Sequence, residues 1–184
     1  NWMDSHFFPW LNDIRAKHKL LTLGNHDGIG QFLMELRKQS QEGTHWLIDQ
    51  SVEIDGVNFW GTPWTYAPFN QAQWAYGKIE KGALKPVWDL IPDKTDVLIT
   101  HSPPFEILDA CPAGKIGCRH LQRRSLSLPQ LKLQVFGHAH SNFPKSRKIG
   151  NTLFVNAAEQ IIEIELGETA TISPKKFWDD NDPS

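Results

Sequence analysis

The amino-acid sequence predicts a single domain of the α/β class, on two main observations. The apolar run Asp96–Thr100 is uninterrupted, which is typical of a strand inside a sheet that is covered on both faces. Three predicted strands also end in short polar segments, at residues 24–27, 101–104 and 137–140. With 184 residues, the chain is long enough to bury a core and too short for two comfortable domains.

The first half of the chain is predicted to contain two helices, a strand and a hairpin. Apolar residues spaced three to four apart predict a helix over Asp4–Lys17, which leads into a strand over Lys19–Leu23. A second helix is expected over Gln31–Ser40. The hairpin strands are predicted at residues 46–48, 51–54 and 57–60, with Asp55 and Gly56 in the turn.

The second half is predicted to alternate helices and strands. Residues Ala72–Leu90 are predicted to be helical in two pieces, because Gly82 and Pro86 interrupt the pattern. The polar composition beyond residue 168 assigns residues 1–168 to the domain and residues 169–184 to a C-terminal tail. The remaining elements are a helix over Arg119–Ser127 and strands over Asp96–Thr100, Leu131–Phe136, Thr152–Asn156 and Gln160–Leu166.

The composition argues against several classes of protein. Hydrophobic residues make up 40% of the chain and charged residues 22%, and the net charge is -2, so neither disorder nor a nucleic-acid partner is expected. No apolar run reaches the roughly 18 residues that a membrane span requires. Cys111 and Cys118 are expected to be reduced thiols, because a chain of this size folds without disulfides. We therefore expect a cytoplasmic protein without a membrane partner.

The polar segments at the strand ends carry side chains that can bind a metal. Ligands of layered α/β folds bind at the carboxyl ends of the strands. Two of the side chains, His138 and His140, would share one face if their segment were extended. Imidazole suits Zn, Fe, Ni, Co and Mn, and an amide oxygen is a harder ligand that fits a mixed site. A single histidine at a strand end is usually structural, but several such groups together predict a metal or phosphate site. The candidates are Asn25, His26, His101, His138 and His140.

Three of these segments resemble the motifs of a known family. Gly24–Asp27, Thr100–His101 and Gly137–His140 resemble the third, fourth and fifth motifs of the calcineurin-like metallophosphoesterases, in the right order and spacing. Further segments resemble a small single-domain branch of that family, namely Gly61–Trp64, Asp96–Pro104, Gly117–Cys118 and Phe154–Ala158.

The resemblance implies a fold, a reaction and a set of roles. The implied fold is a four-layer αββα sandwich with two divalent metal ions, which are not distinguished among Mn, Fe, Zn, Ni, Co and Mg. The implied reaction is hydrolysis of phosphomonoesters or phosphodiesters by a hydroxide that bridges the metals. The substrate would be a small phosphate ester or a nucleotide. The implied ligands are Asn25, His101 and His138 for one metal and His140 for the other.

The resemblance also assigns two residues that do not bind metal. His26 would contact the phosphate and assist the leaving oxygen, which is work suited to a group that titrates near neutral pH. Asp27 would orient the loop, although capping of a turn explains it equally well. Trp64 and Tyr66 are candidates for an aromatic wall that binds the substrate, with core packing as the alternative.

Two earlier motifs of the family, an Asp-x-His and a Gly-Asp, have no convincing counterpart in the chain. Asp4 and His6 have the first spacing, but they lie in a predicted helix. We therefore expect an N-terminally incomplete domain that lacks its first strand-helix-strand segment and holds at most one metal alone. Its uncovered sheet would need the missing segment or a second copy of the chain as partner.

Two alternative functions remain open at this stage. A nuclease of the same fold would need a basic groove, for which 115–124 and 145–148 are the only basic segments. A catalytically impaired relative could act as a binding or scaffold protein.

Overall fold

The computed structural model describes residues 3–27, 41–66, 75–78, 82–112, 114–140 and 145–172. The helix predicted over Gln31–Ser40 and the last residues of the predicted tail lie outside these ranges. The helices are α1 (Phe8–Asp13), α2 (Lys85–Asp89) and α3 (Arg119–Ser127). The strands are β1 (Lys19–Leu21), β2 (Thr44–Trp46), β3 (Gln50–Ile54), β4 (Val57–Thr62), β5 (Thr65–Tyr66), β6 (Gly77–Lys78), β7 (Val97–Thr100), β8 (Ala110–Cys111), β9 (Gly114–Lys115), β10 (Leu133–Phe136), β11 (Ser146–Ile149), β12 (Thr152–Asn156), β13 (Ile164–Leu166) and β14 (Ala170–Ile172).

A six-stranded mixed sheet forms the centre of the described structure. Its strand order is β11-β12-β10-β7-β4-β3. The four central strands are parallel, and the two edge strands run antiparallel to their neighbours. Parallel strands require crossover connections, and α3 lies in the crossover from β7 to β10. The α/β class is therefore confirmed, and the four-layer arrangement stays a prediction.

The two faces of this sheet pack against different elements. Leu98 of β7 belongs to a core cluster with Trp88 and Leu121, so α2 and α3 cover that face. Val97 points to the opposite face, where its cluster includes Ala170 of the β13–β14 hairpin. Burial on both faces explains why the β7 sequence is continuously apolar rather than alternating.

The four parallel strands end at the same level of the sheet. Thr62 of β4 is paired with Thr100 of β7, Thr100 with Phe136 of β10, and Phe136 with Asn156 of β12. The residues that follow these strands therefore lie side by side along one edge, which is where ligands bind in sheets of this type.

Several predicted elements are confirmed. Helix α3 has the predicted bounds, and β12 covers the predicted Thr152–Asn156. The β3–β4 hairpin turns at Asp55 and Gly56, whose φ angles of 49° and 79° are both positive, as a type I′ turn requires.

Both cysteines are free thiols. In the residues that the structure describes, no helix is long and apolar enough to cross a membrane.

Two predicted helices are wrong in extent. The first consists of a π-helical turn, Met3–Phe7, followed by α1, and it ends early because Ile14 adopts an extended ψ of 114°. In the Ala72–Leu90 region, of which the structure describes 75–78 and 82–90, β6 pairs with β5, and the described helical residues are those of α2. Gly82 with φ of 97° breaks the helical backbone there.

The β13–β14 hairpin crosses residue 168, where the domain was predicted to end and the tail to begin. Ala170 of this hairpin is buried.

Candidate metal centre

His101 lies at the middle of the aligned strand ends. Its backbone N–H donates to the Thr62 carbonyl at 3.1 Å, and its carbonyl accepts a hydrogen bond from Gly137 N–H at 3.2 Å. The loop after β7 is therefore tied to the ends of β4 and β10 on either side. These bonds fix the backbone that carries the His101 side chain.

The structure brings Asn25, His101 and His138 together. The Oδ1 atom of Asn25, a 3% exposed residue, lies 2.7 Å from His101 Nε2. The His101 and His138 rings have centroids 4.7 Å apart and planes inclined by 57°. Three loops that are distant in sequence thus converge on one cluster, which we call the Asn-His-His cluster.

The backbone at His138 is strained, which corrects the expectation that 138–140 is extended. His138 has φ of 64°, a rare angle for a residue with a side chain, and Ala139 N–H donates back to the Gly137 carbonyl at 2.7 Å. This bond closes a three-residue γ-turn of the positive-φ type, which is rare and strained. Ala139 is buried, and because of the turn His138 and His140 do not lie on one face of a straight strand.

Both histidines of the Asn-His-His cluster are held in the neutral form. Burial, followed by the charges that His138, His26 and His140 can carry, lowers the pKa of His101 to about 3. Burial and the charges of His140 and His26 likewise lower the pKa of His138 to about 4. A neutral imidazole is the protonation state that a metal ligand requires.

The other candidate side chains lie further toward solvent. His140 is 64% exposed, and its Nδ1 lies 3.0 Å from Glu159 Oε1. His26 is exposed at the rim of a cavity of about 310 Å³, which is lined by His101 and the 22–27 loop. Asp27 accepts a hydrogen bond from Gly24 N–H at 2.6 Å, so its carboxylate caps the turn that carries Asn25 and His26.

The two aromatic candidates have different surroundings. The indole N–H of Trp64 donates to Asp49 at 2.7 Å, and its ring makes an edge contact with Tyr76 at a centroid distance of 5.5 Å. Trp64 also packs against two core clusters. Tyr66 lines a separate cavity of about 500 Å³.

Sequence reasoning missed two residues that shape the cluster. A Cβ added at Gly24 would lie 2.6 Å from His101 Cε1, so the ring packs directly on this glycine. Asn156 is fully buried, and its amide donates to the carbonyls of Ala139 and Leu108 at 2.8 and 3.1 Å. An asparagine at the end of a wholly buried strand is the sequence signal for this role, because a buried amide must find partners.

The Asn-His-His cluster fits a divalent cation. Two neutral imidazoles and an amide oxygen form a mixed N/O donor set of the kind that first-row divalent metals accept. Asn25 would bind the cation through Oδ1, whereas its buried Nδ2, which lacks a hydrogen-bond partner within the described ranges, is a donor that needs an acceptor. Across the same residues, no group of three or more His, Cys, Asp or Glu is placed to hold a metal.

Curated relatives of the chain carry the name of a phosphoesterase domain. The chain is 30% identical to human metallophosphoesterase domain-containing protein 1 over 181 residues, which cover 83% of this chain and 53% of the relative. The mouse protein of that name matches with the same identity and coverage. A UPF0046 protein of Caenorhabditis elegans is 32% identical over 157 residues, which cover 78% of this chain and 52% of the relative. The chain spans about half the length of these relatives, and no family profile matches it.

The fold and the cluster define an α/β protein with a candidate metal site at the carboxyl edge of its sheet. The names of the relatives identify the protein class more specifically. The chain belongs to the metallophosphoesterase family. Divalent-metal use and phosphoester hydrolysis are what that family name implies.

Proposed function

We propose that this protein hydrolyses phosphate esters with a divalent metal held by Asn25, His101 and His138. The observation that carries the proposal is the convergence of these three side chains, with a distance of 2.7 Å between Asn25 Oδ1 and His101 Nε2. When bound, a divalent cation supplies Lewis-acid chemistry, since it lowers the pKa of water and neutralises charge on a phosphoryl group.

The buried side chains have a positioning task. The γ-turn at His138 and the backbone bonds of His101 hold both imidazoles in one orientation. Their lowered pKa values keep them neutral at pH 7, so they do not have to lose a proton before binding a metal. Fixed ligands of this kind reduce the reorganisation that binding a cation would otherwise require.

We assign proton transfer to the leaving group to His26. It follows Asn25 directly in the chain and faces solvent at the rim of the 310 Å³ cavity. A ring N–H at this position can donate a proton to the departing oxygen and recover it from water. The hydrogen bond between Asp27 and Gly24 fixes the turn on which His26 lies.

The assignment is tested by comparing two histidine variants loaded with Mn²⁺. His138→Ala should bind much less metal, whereas His26→Ala should retain the metal and lose turnover by roughly 10² to 10⁴. Metal content is measured by atomic emission, and turnover is measured with p-nitrophenyl phosphate and its bis-ester. His6→Ala, which removes an exposed histidine outside the cluster, is the control.

Two results would contradict the proposal. Unchanged metal content in His138→Ala would remove His138 from the ligand set. A metal-loaded protein that hydrolyses neither ester would overturn the reaction itself.

A further inference from the structure

A second cavity, of about 500 Å³, lies beside the loop that follows His101. The described residues that line it are all different from those that line the cavity at the Asn-His-His cluster. Among the residues that the structure describes, its lining combines apolar or aromatic side chains with cationic ones and includes no acidic residue. The main contributors are Tyr66, Leu84, Phe105, Lys115, Ile116 and Arg119.

Arg119 and Phe105 form a stacked pair in the wall of this cavity. The Arg119 Cζ atom lies 3.6 Å from the centroid of the Phe105 ring. A guanidinium stacked in this way uses its flat face, so the N–H donors at its edge remain available for an anion. Arg119 is exposed, and among the residues that the structure describes it makes no ion pair.

Within the described part of the chain, the charge of Arg119 has no carboxylate partner, unlike that of its neighbour Lys115. Lys115 Nζ lies 3.1 Å from Glu106 Oε1 and is therefore largely compensated. Arg119 is also the first residue of α3, and the N-terminal end of a helix favours negative charge. Among the lining residues that the structure describes, the uncompensated positive charge thus lies at Arg119.

The cavity is connected rigidly to the candidate metal centre. Phe105 follows His101 by four residues, a separation of at most about 14 Å between Cα atoms. Phe105 N–H donates to the Cys118 carbonyl at 3.2 Å, and Cys118 N–H donates to the Pro103 carbonyl at 3.0 Å. These two bonds attach the loop after His101 to the start of α3, so the stacked pair has a fixed position relative to His101.

We propose that this cavity binds an aromatic group that carries a negative charge, with Arg119 as the residue that recognises the anion. The identity of the substrate rests on the reaction proposed above. In that reaction, the aromatic group is the alcohol part of the phosphate ester. The preferred substrates are then aryl phosphates that bear an additional anionic substituent. The apolar walls contribute affinity for the ring, and Arg119 contributes selectivity for the charge.

Binding to metal-free protein tests the cavity without any dependence on catalysis. The probe is 2-naphthoate, titrated calorimetrically in the presence of a chelator. Arg119→Ala should weaken binding by about tenfold or more, because a charge-assisted pair is lost. The matched control is Arg123→Ala, which removes the same charge from an exposed position on the same helix and should bind as the unaltered protein does. 2-Naphthalenemethanol, which has the ring without the charge, should bind at least about tenfold more weakly than 2-naphthoate.

The outcomes separate this inference from the proposed hydrolysis. Equal 2-naphthoate affinity in Arg119→Ala and unaltered protein, or equal affinity for the acid and the alcohol, would overturn the aromatic-anion site. In the metal-loaded protein, Arg119→Ala should raise the KM for 4-carboxyphenyl phosphate by a larger factor than the KM for phenyl phosphate. Selective 2-naphthoate binding in a protein that hydrolyses no ester would support the cavity and contradict only the reaction.

Discussion

The buried and exposed parts of the candidate site are held in different ways. Asn25, His101 and His138 are fixed by backbone bonds, packing and a strained turn, and burial keeps the two imidazoles neutral. His26 and His140 lie at the surface, where water can reach them. Fixed, neutral groups suit cation binding, whereas exposed groups suit proton exchange. In the proposed reaction, the buried side chains would bind the metal and the exposed His26 would transfer the proton.

The largest effect on stability is expected at Asn156, whose hydrogen bonds hold the buried part of the site in place. Asn156→Ala removes two donated bonds, to Leu108 and Ala139, and a third that the side chain accepts from Ala158 N–H at 2.9 Å. Since buried partners would be left unpaired, the free energy of unfolding should fall by about 2 to 4 kcal/mol. Urea denaturation measures this change. Asn151→Ala, in an exposed turn, is the control, and a loss below about 1 kcal/mol in Asn156→Ala would show that the anchor is unimportant.

A medium effect is expected from filling the space beside His101. Gly24→Ala places a methyl group 2.6 Å from His101 Cε1, so the ring or the loop that carries Gly24 must shift. We expect metal affinity to fall by about 10- to 100-fold and stability by about 1 to 3 kcal/mol. Gly137→Ala is the matched control, because a Cβ there would meet no atom within 4 Å. Metal titration should give a lower affinity for Gly24→Ala than for Gly137→Ala. Equal affinities would contradict the packing role of Gly24.

The smallest effect is expected in the exposed part. Glu159→Gln removes the charge beside His140 while retaining a side chain of similar size. Both residues are 64% exposed, so the free energy of unfolding should change by about 0.5 kcal/mol or less. The affinity of the Asn-His-His cluster for metal should also be unchanged. Thermal unfolding measures the stability, and metal titration measures the affinity. A substantial loss of stability or of metal affinity would show that the Glu159–His140 contact also supports the buried Asn-His-His cluster.

The sequence predicted the elements that are encoded locally. The β7 strand, helix α3 and the Asp55–Gly56 turn carry their own signals of hydrophobicity, periodicity and turn chemistry, and all three are confirmed. The short β5 and β6 strands have no such signal, since each has two residues and exists only because the other pairs with it. The early end of α1 at Ile14 likewise has no clear local signal.

The candidate site was predictable as a set of residues but not as an arrangement. Strand ends that carry histidine and asparagine indicated which side chains should meet. The sequence could not show the γ-turn at His138, because that turn is held by Asn156 from another strand. Nor could it show that Gly24 packs on the His101 ring, which is a contact between loops.

The hydrogen bond between Asn25 and His101 has a consequence for folding. It joins residues that are 76 positions apart in the sequence, so no short piece of the chain can form the cluster by itself. Closing a loop of that size costs entropy that only the assembled sheet repays. A ligand of the cluster would therefore bind the native chain and not the unfolded one, and its concentration would directly raise the stability of the whole fold.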